Sequence, residues 1–210
     1  MTNKTNRTSY LARVGMLLRR MIGLAILLAL MLPANRVGAQ TATQPSGSGT
    51  VSDPYQIATL NNLYWITQDT SRWGKVYRQS ADIDASSTTT WASGKGFPPI
   101  GNETRLFSGS YDGQSYKISS LFINKPSTVM VGLFGRTDGA TISNVKLENV
   151  NISGDASTGG LYVGGLIGYE TGRSTATNCS SSGSVAASYM WSAVGGLIGY
   201  QEYSSLATNC

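Results

Sequence analysis

Val163-Gly164-Gly165-Leu166-Ile167-Gly168-Tyr169 recurs unchanged at Val194-Gly195-Gly196-Leu197-Ile198-Gly199-Tyr200, 31 residues later. Ala176-Thr177-Asn178-Cys179 recurs at Ala207-Thr208-Asn209-Cys210 with the same offset of 31. Two identities at one period mark a repeat architecture, and the repeat decides the fold. A diverged copy precedes them: Val131-Gly132-Leu133-Phe134-Gly135, then Ile142-Ser143-Asn144-Val145. Within a unit the local period is two. Val145 and Leu147, then Val150 and Ile152, alternate with Lys146, Glu148, Asn149 and Asn151. Such alternation reads as half-buried strands. Gly and Ser/Thr clusters at 135–139, 154–160 and 180–183 supply turns.

A unit of this length, with short strands and glycine corners, suits one coil of a parallel β-solenoid. Each coil pairs with the next at about 4.8 Å. The expected fold class is therefore all-β, with equivalent residues in ladders: Leu166 over Leu197, Ile167 over Ile198, Asn178 over Asn209. Gly164-Gly165 is expected where a side chain has no room. The competing fold is a β-sandwich of repeated hairpins. It would favour recurring Asn-Gly or Asp-Gly turns, but Asp112-Gly113 and Asp138-Gly139 do not recur in the 31-residue copies.

Gly132-Leu133-Phe134-Gly135, Gly165-Leu166-Ile167-Gly168 and Gly196-Leu197-Ile198-Gly199 share the pattern Gly-Leu-hydrophobic-Gly. Upstream stand Asp53-Pro54-Tyr55-Gln56-Ile57, Gln79-Ser80-Ala81-Asp82-Ile83-Asp84, Pro99-Ile100-Gly101 and Phe107-Ser108-Gly109-Ser110-Tyr111-Asp112-Gly113. In this order, over residues 47–210, the motifs resemble the GLUG-motif repeat of secreted and surface bacterial proteins. The resemblance implies a β-solenoid-like repeat of the kind found in large adhesins. It is also found in the non-catalytic part of some IgA-specific metallopeptidases. The zinc motif of those peptidases needs histidine, and this chain has none.

The N-terminal third reads differently. Residues 1–20 are polar and basic, Met21 to Leu32 are apolar or glycine, and Val37-Gly38-Ala39 places small residues at −3 and −1. That is a secretory signal, with cleavage expected after Ala39. Twelve apolar residues reach only about 18 Å, too short for a bilayer core. Residues 40–52, rich in Ser, Thr and Gly, are expected to form a flexible spacer. Behind Thr59, a helix N-cap, Leu60, Leu63, Tyr64 and Thr67 fall at helical spacing. A short helix there would cover the first coil, whose edge is otherwise open. The expected division is thus 1–39 signal, 40–52 spacer, 53–125 cap and diverged coils, and 126–210 GLUG-type repeats. The last unit stops before any counterpart of Ser180 to Val185, which predicts a fragment or a truncated gene product.

Charge limits function. The formal net charge is +5, but six of the 16 basic residues lie in the first 39, which hold no acid. The remainder carries 10 basic and 11 acidic groups, a net of −1. The basic balance therefore belongs to the export signal and gives no support to nucleic-acid binding. Without histidine there is no Ser-His-Asp triad and no HExxH zinc site. Two cysteines cannot close a four-cysteine zinc site.

Several residues remain as candidates. Asp82 and Asp84, two apart on a strand, face one side and suit a calcium ion or an acid/base pair, with Asp112 a possible third member; the alternative is a solvent-facing pair flanking Ile83. Cys179 and Cys210 occupy equivalent repeat positions, open to a disulfide or a ladder of free thiols. Trp65, Trp73, Trp91, Trp191, Tyr169 and Tyr200 suit either a sugar- or partner-binding surface or packing at the cap and corners. Asn102, Asn151 and Asn178 begin glycosylation sequons. These residues point first to an exported, non-enzymatic surface module for adhesion or spacing, without cofactor, contacting an extracellular protein or glycan surface. A polysaccharide-acting β-helix enzyme centred on Asp82, Asp84 and Asp112 is the alternative.

Overall fold

The computed structural model describes residues 40–156 and 159–210. The export signal expected over 1–39 lies outside the described residues. The described chain is a β-solenoid with one α-helix, a 3-10 segment at Thr70–Arg72 and two 3-10 turns joined across a kink over Ser86–Gly94. Parallel strands form four lengthwise sheets. The first holds Tyr55–Ile57, Val76–Gln79, Ser110–Asp112, Thr141–Ser143, Thr175–Thr177 and Leu206–Thr208. The second holds Ile83–Asp84, Lys117–Ser119, Lys146–Asp155 and Ser180–Ala187, with Phe122–Pro126 beside the end of Lys146–Asp155. The third stacks Met130–Val131, Leu161–Gly164 and Ser192–Gly195; the fourth stacks Phe134–Asp138, Ile167–Thr171 and Ile198–Gln201. A full coil visits the four in turn before stepping up.

The ladders follow the repeat. Val163 pairs with Val194, Ile167 with Ile198, Tyr169 with Tyr200 and Ala176 with Ala207. Val145, Leu147, Val150 and Ile152 are all buried. Their alternation slips by one residue at Glu148-Asn149. There the register jumps between Leu147 and Val150, and Asn149 adopts a φ of +54°. The extra residue is a β-bulge that restores the apolar side chains to the core face.

The glycines of the repeat are fixed by close backbone approach. A Cβ on Gly164 would sit 2.0 Å from the Ile167 carbonyl oxygen and 2.7 Å from the Gly199 amide nitrogen. On Gly168 it would sit 2.6 Å from the Val131 amide nitrogen. The third and fourth sheets therefore cross backbone to backbone at these positions, a contact only glycine permits.

A polar ladder runs along the corner after the first sheet. Asn144, Asn178 and Asn209 each adopt a φ of +54°. Asn209 Nδ2 donates to Asn178 Oδ1 at 3.3 Å, and Asn178 Nδ2 to Asn144 Oδ1 at 3.2 Å. Asn144 Nδ2 donates to Asp112 Oδ1 at 2.9 Å. Asparagine tolerates the left-handed conformation, and its amide carries both a donor and an acceptor.

The helix α1 spans Leu60–Thr67 behind Thr59, whose side chain accepts from Asn62 N. Its buried residues are Asn62, Leu63, Trp65 and Ile66, whereas the expected face was Leu60, Leu63, Tyr64 and Thr67. The difference arises because chain packs on the other flank as well. Tyr55 meets Trp65 edge-on, the Arg72 guanidinium lies 3.6 Å over Trp65, and Trp73 Nε1 donates to Ile66 O at 3.0 Å.

Within residues 40–52, expected as a flexible spacer, the structure shows a docked stretch. Thr43 N donates to Asn61 O, Gln56 N to Ser46 O and Val76 N to Gly49 O, at 2.8–3.1 Å. Asn62 Nδ2 also donates to Thr43 O at 3.0 Å. Composition argued for mobility because the segment has few apolar side chains. Its order comes instead from backbone pairing, which needs none.

Candidate functional site

The candidate carboxylates are each tied to a different backbone N–H. Asp84 Oδ1 accepts from Ser86 N at 2.9 Å at the start of a 3-10 turn, and that backbone N–H holds its carboxyl below the ordinary range. Asp82 Oδ1 accepts from Lys117 N at 2.8 Å. Asp112 lies in a different sheet and accepts from Gln114 N at 3.0 Å as well as from Asn144. Partial burial works to raise the Asp112 carboxyl, but the Asn144 and Gln114 bonds leave it lowered. Asp84 and Asp112 thus each fasten their own turn, whereas Asp82 ties its coil to the next.

Cys179 is buried and Cys210 exposed, and both are free thiols. They are ladder neighbours: Cys179 N lies 3.5 Å from Cys210 Sγ. Burial pushes the Cys179 thiol up to about 11. Reactivity follows thiolate fraction and exposure. A thiol reagent added to folded, unoxidised protein is therefore expected to label Cys210 promptly and Cys179 only after denaturation; equal labelling rates would contradict this placement.

The sequons also differ. Asn102 Oδ1 is engaged by Thr104 N, Thr104 Oγ1 and Arg105 N within its own exposed turn. Asn151 is exposed on a paired strand, and Asn178 belongs to the amide ladder.

The aromatic candidates separate sharply. Trp65, Trp73 and Trp91 are core residues, whereas Trp191 is 71% exposed. Trp191 follows Met190, itself 84% exposed. Their loop is anchored through its backbone: Leu161 N donates to Trp191 O at 3.0 Å and Ser188 N to Gly154 O at 3.1 Å. The two side chains are thus displayed from a fixed backbone. Together with Tyr162, Tyr189, Ser192 and Tyr200 they line a solvent-open cleft of about 620 Å³. One wall is a tyrosine cluster in which the Tyr200 ring stacks on Tyr169 at 5.2 Å and Tyr162 approaches both, at 4.9 and 5.0 Å. Below it, the Arg136 guanidinium lies 5.0 Å from the Tyr169 ring. Tyr169 donates its hydroxyl to Glu202.

The repetition of Tyr169 and Tyr200 marked this wall in sequence. The loop side, Tyr189-Met190-Trp191, went unread except for Trp191, because it lies outside the identical motifs. Two further groups gave no sequence signal. Glu170 is fully buried, pairs Oε2 with Gln201 Nε2 at 2.7 Å and leaves Oε1 unpartnered. Burial raises its carboxyl to about 7, against a smaller opposing effect of the Gln201 bond. Burial, then the neighbouring Lys95 charge, push the Lys125 ammonium down to about 8.

No family model matches the chain. It is 39% identical over 145 residues to halomucin of Haloquadratum walsbyi, covering 67% of this chain and 2% of that protein. It is 29% identical over 120 residues to a candidate Gly-rich membrane protein of Evansella cellulosilytica, covering 57% of this chain and 13% of that one. The chain thus spans only a small part of either relative's length. A solved structure of a candidate immunoglobulin A1 protease from Bacteroides ovatus is 19% identical with a TM-score of 0.40, covering 77% of this chain and 66% of that one.

Proposed function

We propose that this chain is an exported, surface-associated repeat module that acts by contact, in adhesion or as a spacer presenting other segments, and not by catalysis. The observation that carries the reading is the displayed aromatic cleft. A Trp and a Met held out from an anchored loop beside a tyrosine wall are the residue types that dominate contact surfaces. The solenoid behind them is ladder-paired through several coils, so the surface is presented rigidly. Among the described residues no helix is long and apolar enough to cross a membrane. The relatives' names, a halomucin and a Gly-rich membrane protein, fit an extracellular or surface location. The Gly-Leu-hydrophobic-Gly units support a GLUG-type repeat, and residues 1–39 an export signal. The expected partner is an extracellular protein or glycan surface. Against the enzyme reading, Asp82, Asp84 and Asp112 are each engaged by a different backbone N–H, and Asp112 lies in a different sheet from Asp84.

The test offers the chain immobilised extracellular glycoproteins and polysaccharides. Retention with the polymers unchanged in length supports contact. Shortened products whose appearance is abolished by Asp82→Asn, Asp84→Asn or Asp112→Asn would establish the polysaccharide-acting enzyme instead.

A further inference from the structure

Several aromatic side chains in the body of the solenoid bond their polar tips to protein, although the buried Trp91 Nε1 has no partner. Trp73 Nε1 donates to Ile66 O, the Tyr77 hydroxyl to Arg72 O at 2.6 Å, the Tyr111 hydroxyl to Gln79 Oε1 at 3.3 Å and the Tyr169 hydroxyl to Glu202. In the cleft, Tyr162, Tyr189, Trp191 and Tyr200 have no side-chain hydrogen bond to any other described residue. Three phenol hydroxyls and one indole N–H thus belong to residues lining a single cavity, without a partner among the described residues. The Trp191 ring has no aromatic neighbour in ring contact among the described residues, and the residue is 71% exposed.

We propose that this cleft binds a neutral glycan, stacked on Trp191 and hydrogen-bonded by Tyr162, Tyr189 and Tyr200; the proposal rests on the contact function above and names its ligand class. A pyranose ring has an apolar C–H face and a rim of hydroxyls. It needs an aromatic plane under the face and donor–acceptor groups around the rim, and the cleft supplies both. Tyrosine hydroxyls both donate and accept, as sugar hydroxyls do. Charge selects the class further, since none of the residues lining the cleft is charged. An acidic polysaccharide or a nucleic acid would call for Lys or Arg at the contact. The volume lies in the range of small-ligand sites, enough for a short stretch of sugar units. Because the loop backbone is already fixed by the Leu161 and Ser188 bonds, little ordering is required on binding.

The experiment uses the whole chain with soluble dextran, mannan and mixed-linkage β-glucan as neutral probes. Alginate is the anionic probe and a phenylalanine-rich peptide the apolar one, with affinity read by calorimetry and by retardation in polymer-containing gels. At least one neutral polymer is expected to bind, with little response to added salt. Trp191→Ala is expected to weaken it about tenfold, equivalent to about 1.4 kcal/mol. Tyr200→Phe, which keeps the ring and removes the hydroxyl, is expected to weaken it to a lesser degree. Trp191 is exposed and its structural bond is made by the backbone, so the variant should melt as the parent does. The proposal is overturned if no neutral polymer binds, if alginate or the peptide binds in preference, or if Trp191→Ala binds like the parent. Should the chain still hold glycoprotein surfaces while Trp191→Ala changes nothing, the contact function stands and the glycan cleft falls.

Discussion

Gly168→Ala is expected to lower the unfolding midpoint more than any surface change in the repeats, by about 3 kcal/mol or more in denaturant titration. The added methyl would lie 2.6 Å from Val131 N, 2.8 Å from Gly135 O and 2.9 Å from Val131 O. All three are backbone atoms of strands in the third and fourth sheets, so none can rotate aside as a side chain would. Relief requires separating two sheets, and the separation propagates to the coils above and below because each is in register with the next. Gly196→Ala is the matched control. It lies in the same repeated motif, but a Cβ there meets nothing within 4 Å. Its φ is not positive, so that change is expected to be neutral or to stabilise by about 0.5 kcal/mol through the unfolded chain. Equal effects at the two sites would show that close backbone contact is not what selects glycine here.

Glu170→Gln is expected to stabilise the protein by about 2 kcal/mol near pH 8 and to remove a pH dependence that the parent shows. The folded-state carboxyl titrates near 7, above its ordinary 4.5. Between those values the folded protein keeps a proton that the unfolded chain releases. Stability is therefore full below about pH 4.5, falls as pH rises toward 7 and levels off above it, a loss of roughly 3 kcal/mol. The chain has no histidine, so no other side chain of ordinary pKa titrates in the middle of that window. Glutamine retains an acceptor for Gln201 and adds a donor. Thr137, whose buried Oγ1 lacks a partner, stands directly opposite in the strand register. Thermal unfolding from about pH 5 to pH 8 reads the effect. A parent whose midpoint rises steadily over this range would contradict it.

Most of the architecture was legible because it is periodic. The 31-residue offset predicted which residues stack, and the alternation from Val145 to Ile152 marked the strand, though not its bulge at Asn149. Thr59 announced the helix that begins at Leu60. What escaped reading was set by non-local backbone pairing or by packing from a second side. Residues 43–49 are ordered by carbonyls and amides that every sequence possesses. Trp65 and Ile66 are buried by Tyr55, Arg72 and Trp73, which approach the flank of the helix that the stripe assigned to solvent. The cleft was half legible. Tyr169 and Tyr200 stood out because they repeat, whereas Tyr189 and Met190 sit in a loop with no counterpart in the earlier units. Glu170 occupies a strand position indistinguishable in sequence from a solvent-facing one; only the coil stacked upon it makes it interior.

The amide ladder has a direction. Asn209 gives to Asn178, Asn178 to Asn144, and Asn144 to Asp112, a carboxylate that only accepts when ionised. Every intermediate rung makes the same demand of the rung below and the same offer to the rung above. Duplicating or deleting one Asn-bearing unit would leave each remaining pair matched, whereas moving the Asp-bearing unit into the middle would strand an acceptor against an acceptor. In hereditary terms the array can lengthen or shorten by unequal recombination without relearning how to fold, while its first rung stays in place.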